Sequence, residues 1–248
     1  MSTFKTVRIT VQNGRAVLQN GRAEVPYIWD VENPEGYGNR IGRYRTDIES
    51  RFMFDHLGHL GPSPLRILDM GGGSGRFGGA LAEQGHHVTL IDKNPQAVAL
   101  AGKRGVQRAI VCDISDFHEG EFDGVVCVEV LQYFDKCDPI FAKAASCLKV
   151  GGIFVFCFTN SRSWRFRLRS LKENNHAVHA FSMEEVERCL ASHRFEVTGR
   201  KGFQWSLAQT GSDSRIVDAS VWIEKGLGLQ NWLSQSPWLL YACRKIDE

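Results

Sequence analysis

The chain is poor in the features that would place it outside the ordinary α/β class. Its seven cysteines include no C-x-x-C pair, which argues against both a disulfide framework and a zinc ribbon. The near-ten-residue spacing of Cys127, Cys137, Cys147 and Cys157 is coincidence, because those positions fall on different kinds of element. No apolar run approaches the roughly 20 residues needed to span a bilayer, so no transmembrane segment is expected. The start, Met1-Ser2-Thr3-Phe4-Lys5, lacks the apolar core of a secretory leader. Net charge is only +2, and no strongly basic face is expected, which makes nucleic acid a poor partner. With 43% hydrophobic and 23% charged residues, disordered, collagen-like and coiled-coil classes are excluded. A reduced, cytoplasmic chain of 248 residues is expected, long enough for one α/β domain or two small ones.

Glycine is what the chain does have: of 25 in all, Gly71, Gly72, Gly73, Gly75, Gly78 and Gly79 crowd into nine positions. Upstream, residues 7–11 are β-rich, and Asn13-Gly14 and Asn20-Gly21 are hairpin-turn signals within a short repeat. Residues 1–37 therefore read as a β-rich extension, a small β-meander appended to a main domain of 38–248. Ile41, Ile48, Phe52 and Leu57 keep helical spacing until Gly61-Pro62 breaks the chain.

A strand–helix rhythm follows. Strands are expected at 65–69, 87–92, 109–112, 124–128 and 153–158, with closing strands at 195–197 and 238–243. Asn94 is placed to cap a helix that has Pro95 at its first position. A capping box at 182–185 opens another helix, to about residue 193. Alternating strands and helices indicate a doubly wound, mainly parallel sheet, carrying a basic insertion at about 160–180 before its sixth strand.

The glycine loop sits where the first main strand ends and a helix begins, so helix N–H groups and bare backbone face a ligand. Gly73-x-Gly75-x-x-Gly78 satisfies the dinucleotide fingerprint, and on these residues alone a nicotinamide cofactor is an open reading. Three acids tilt the choice. Asp69 precedes the loop, where a carboxylate suits a cationic ligand rather than a phosphate. Asp92 ends the second strand and can accept both hydrogen bonds of a ribose diol. Asp113, followed by Ile114, ends the third and can receive an adenine amine. A cation, a ribose and an adenine together describe S-adenosylmethionine.

Residues of about 40–245 resemble the class I S-adenosylmethionine-dependent methyltransferases. The resemblance rests on 68–75, Ile91-Asp92, Cys112-Asp113-Ile114, 122–126, and Leu148-Lys149-Val150-Gly151-Gly152. Residues 129–133 resemble the family's stretch after the fourth strand, although Gln132-Tyr133 departs from the usual acid and histidine. The resemblance implies a Rossmann-like sheet of seven strands, the last antiparallel. It also implies a cofactor held by Asp69, Gly71, Gly73, Gly75, Asp92, Lys93, Asp113, Ile114 and Glu129. N-terminal helices would form a lid, with Tyr37, Arg43, Tyr44 and Arg45 reaching the cofactor carboxylate or an acidic acceptor.

Other constellations stand beside plainer readings. Tyr133 can position the acceptor or take its proton, or simply pack. If 161–172 is helical, Arg162, Arg165, Arg169 and Lys172 share one face and Trp164, Leu168 and Leu171 another. That basic face either recognises an anionic substrate or membrane surface, or is a solvated cover. His56-x-x-His59 and His176-x-x-His179 have no nearby cysteine or carboxylate to complete a metal site, so no metal is expected. His176 and His179 are candidate general bases instead. Trp205, Trp222 and Trp232 line an apolar acceptor pocket, pack the core or make a homodimer contact.

The expected function is methyl transfer from S-adenosylmethionine to oxygen or nitrogen of a small molecule, with Tyr37, Tyr44, Tyr133 and Arg165 at the acceptor. The rivals are an NAD(P)-dependent oxidoreductase and a cofactor-binding partner protein without turnover.

Overall fold

A computed structural model of the chain describes residues 9–12, 15–18, 37–61, 64–170, 179–206 and 212–247. Strands β1 (Ile9–Gln12) and β2 (Arg15–Leu18) pair antiparallel, with Gln12 opposite Arg15. The expected turn residues at Asn13-Gly14 and Asn20-Gly21 lie outside the described residues.

The remaining strands form one seven-stranded sheet. They are β3 (Arg66–Met70), β4 (His87–Asp92), β5 (Arg108–Val111), β6 (Phe122–Cys127), β7 (Leu148–Thr159), β8 (Phe195–Phe203) and β9 (Trp238–Lys245). Their order is β5-β4-β3-β6-β7-β9-β8. Only β9 runs against the others, antiparallel to both β7 and β8. That is the doubly wound, mainly parallel architecture expected, with the antiparallel strand last in sequence. The order reverses between β3 and β6, so a crevice opens beyond their carboxyl ends.

Alternation along the strands divides the core into two layers. Ile67, Leu90, Val126, Val155 and Leu240 face α1 (Arg40–Leu57), α2 (Arg76–Glu83) and α3 (Pro95–Lys103). Leu68, Ile91, Val125, Phe154, Phe156 and Tyr241 face α4 (Asp138–Cys147) and α6 (Met183–Ser192). Between β7 and β8 the chain also forms the short α5 (Trp164–Ser170), and between β8 and β9 it forms α7 (Ile216–Gly226). Helix starts follow local chemistry: Asn94 accepts from Gln96 and Ala97, and Ser182 accepts from Glu185.

Candidate functional site

The glycine loop runs from the end of β3 into α2 and is laced to β4. Gly71 and Gly72 donate to Ile91 O at 2.9 and 3.2 Å. A Cβ built at Gly72 would lie 2.5 Å from the Asp69 carboxylate and 2.6 Å from Leu90, so only glycine lets the loop wrap that buried acid. Gly75 caps α2 with φ +80°, a left-handed conformation that side chains resist. It sits against Ala101 at the base of the loop, outside the residues that line the cavity.

Asp92 braces the same loop: Oδ2 accepts from Gly73 N at 3.0 Å and Oδ1 from Asn94 N at 2.8 Å. Asp113 caps a turn at Ile114–Asp116, accepting from Ser115 N at 2.9 Å and Ser115 Oγ at 2.8 Å. The Ser115 hydrogen bonds hold its carboxyl below the usual range. The ends of β3, β4, β5 and β6 thereby enclose a cavity of about 230 Å³. Asp69, Gly71, Gly73, Asp92, Lys93, Asp113, Ile114 and Glu129 all line it, as do Tyr37 and Tyr133.

A charged cluster that the sequence reading did not assemble forms one side of this cavity. Glu129 follows β6 in a left-handed conformation, φ 60°, and its N–H donates to Cys157 Sγ at 3.1 Å. Its Oε1 lies 2.7 Å from Arg45 Nη2 and accepts from Arg76 Nη2 at 2.9 Å, while Oε2 accepts from Tyr37 Oη at 2.9 Å. Arg76 also donates to Glu49 Oε2 at 2.9 Å and stacks 3.8 Å over the Tyr37 ring. Burial raises Glu129, but Arg45 and Arg76 outweigh it and hold the carboxyl at about 2. Burial raises Glu49 too, and the pull of Arg76 does not cancel it, so that group is pushed up to about 8. One signal pointed to Arg76: it is a cation in the first turn of a helix, where the dipole disfavours it and another use must hold it.

Other expected site residues lie elsewhere. Tyr44 is buried, donates to Glu224 Oε1 and accepts from Gln204 N at 3.3 Å, so it ties α1 to α7 rather than meeting an acceptor. Arg165 is spent on the carbonyls of Gln204 and Ser206. His179 is exposed and outside the cavity wall, although its N–H donates to Gln132 O at 2.7 Å; His176 lies outside the described residues. Arg43 reaches Gly38 O and Asp213. Within the basic insertion Arg162 pairs with Glu184 at 2.7 Å, and Leu168 is exposed rather than on a packed apolar face. Trp164 and Trp232 flank Trp205 at ring distances of 6.5 and 5.7 Å, away from the cavity, and Trp222 is 76% exposed. His56 packs beneath Gly199 and on Phe52, which accounts for it without a metal.

Comparison with known proteins agrees with this geometry. A family model described as "Methyltransferase domain" matches residues 68–156, from β3 through β7. The "Ubiquinone biosynthesis O-methyltransferase" of Xylella fastidiosa (strain M23) is 32% identical over 136 residues, 51% of this chain and 52% of that protein. The chain thus spans about half the length of the curated relatives it matches. Among solved structures, geranyl diphosphate C-methyltransferase from Streptomyces coelicolor A3(2), in complex with S-adenosyl-L-homocysteine, superposes with TM-score 0.58 at 20% identity, covering 81% of this chain and 79% of that one. Magnesium protoporphyrin IX methyltransferase from Synechocystis PCC 6803 gives TM-score 0.59 at 14% identity, covering 91% and 90%. Residues 68–156 thus resemble a methyltransferase domain, and the seven-stranded sheet with one antiparallel strand has the fold of the methyltransferases with which it superposes.

Proposed function

We propose that the chain transfers the methyl group of S-adenosylmethionine to an oxygen or nitrogen of a small-molecule acceptor, with oxygen favoured by the O-methyltransferase names of its curated relatives. The observation that carries this reading is the convergence of Asp69, Asp92 and Asp113 from three strand ends into the one cavity around the glycine loop. These residues suit the cofactor: the loop leaves no room for a Cβ beside Asp69, and the acids match a cation and hydroxyl or amine donors. When bound, S-adenosylmethionine supplies a methyl already made electrophilic by the sulfonium, so the protein has only to orient the partners and exclude water.

In this reading Asp92 orients the ribose hydroxyls and, through Gly73, holds the loop. Asp113 and Ile114 face the adenine, and Arg76 presents the cavity's guanidinium to a carboxylate. Tyr133, 43% exposed on the cavity wall, positions the acceptor and takes a hydrogen bond from its nucleophile. Incubation with methyl-labelled cofactor and a panel of phenols, carboxylic acids and amines tests the assignment. Label on an acceptor oxygen or nitrogen is expected. Cofactor binding without transfer to any acceptor would instead favour a binding protein without turnover.

A further inference from the structure

Outside the cavity, α4 and α6 meet through side chains that carry metal-ligating atoms. Cys137 is the residue before α4 and Asp138 its first residue; Cys189 and His193 are one turn apart at the end of α6. His193 Nε2 lies 2.9 Å from Asp138 Oδ1, and Cys189 Sγ lies 3.9 Å from the same oxygen. The ligand atoms of Asp138, Cys189 and His193 all fall within 4.8 Å of one another.

We propose that Asp138, Cys189 and His193 form a divalent metal site whose best-fitting ion is zinc. One sulfur, one imidazole nitrogen and one carboxylate oxygen supply three zinc donors and leave the fourth tetrahedral position to water, whereas calcium and magnesium take oxygen throughout. Zinc bond lengths require about 3.5 Å between sulfur and oxygen and about 3.3 Å between nitrogen and oxygen across a tetrahedron edge. The observed separations differ from these by about 0.4 Å in opposite senses, which rotation of the 65%-exposed Asp138 side chain can supply.

Binding breaks the Cys189 S–H bond, forms one Zn–S bond and releases one proton to water. Tyr133 and Phe134, just before Cys137, line the cavity, so a loaded site ties that wall to α6. The donors escaped the sequence reading because Asp138 stands 51 and 55 residues from Cys189 and His193, with no local ligand spacing.

The test titrates the reduced, chelator-stripped protein with Co2+ and then Zn2+. One equivalent of cobalt should give a thiolate-to-metal charge-transfer band and tetrahedral d–d bands, both abolished by zinc. Cys189→Ser should abolish the charge-transfer band, because the thiolate ligand is gone. His193→Gln, at the partly exposed end of α6, should weaken zinc at least about tenfold while keeping the wild-type melting profile without metal; it decides the matter if Cys189→Ser fails to fold. Absence of the charge-transfer band in the reduced wild type, or bands and affinity unchanged in His193→Gln, would overturn the site. So would recovery of Cys137 and Cys189 as a disulfide from protein isolated with its thiols blocked.

Discussion

Glu49 and Glu129 share two guanidiniums, yet their surroundings drive them in opposite directions. Glu49 is fully buried and keeps its proton to about pH 8 in the folded chain, against an ordinary value of 4.5. Between those values the native state binds more protons than the unfolded one, so this group lowers stability as pH rises through the window. Glu129, held at about 2 despite its burial, works the other way: its contribution is present above 4.5 and is lost as pH falls toward 2. Glu49→Gln copies the protonated side chain. It should fold normally at pH 7 and remove a decline of at most about 1.4 kcal/mol per pH unit between pH 5 and 8. Urea unfolding across that range measures the slope; a slope unchanged from wild type would contradict the assignment. The three strand-end acids were legible because each closes an apolar run. This cluster was not, because Glu49, Arg76 and Glu129 come from three separate elements and meet only when the sheet and α1 pack.

At the scale of the elements, the expected strands and caps formed close to where local signals put them, and the exceptions have physical causes. Helix α7 went unassigned because its pattern is inverted: Glu224 is fully buried while Ile216, Trp222, Ile223 and Leu227 are exposed. Strand β8 extends to Phe203, past the expected residue 197, because Gly199 and Gly202 look like a strand's end but pack under His56 and Ser236. What satisfies Glu224 is Tyr44, Trp205 N at 3.1 Å and Gln230 at 3.1 Å. Tyr44→Phe takes one donor from a buried carboxyl and should cost about 1–3 kcal/mol of stability. Thermal unfolding and calorimetry separate the roles: a lower Tm with unchanged cofactor affinity marks a strut between α1 and α7. Weakened affinity at unchanged Tm would return Tyr44 to the site.

For the whole molecule, the segment that matches a known family and the rest of the chain divide the labour. Residues 68–156 carry the family match, and every strand-end acid of the cavity lies within them. The part from α5 to α7 holds Arg165 and the tryptophans, none of which lines the cavity, because composition there does not fix which side chains turn toward it. A net charge of +2 likewise conceals the buried cluster of Arg45, Arg76, Glu49 and Glu129. Among the described residues no helix is long and apolar enough to cross a membrane. The central claim is that the crevice beyond β3 and β6 holds S-adenosylmethionine through the glycine loop and the strand-end acids. Calorimetric titration of wild type and Asp92→Ala with S-adenosylhomocysteine, beside NAD, tests it most directly. The wild type should bind S-adenosylhomocysteine and not NAD. Loss of the Asp92 hydrogen bonds, worth about 1.5–3 kcal/mol, should weaken that binding about 10- to 100-fold. Binding of NAD in place of S-adenosylhomocysteine, or undiminished affinity in Asp92→Ala, would contradict the account.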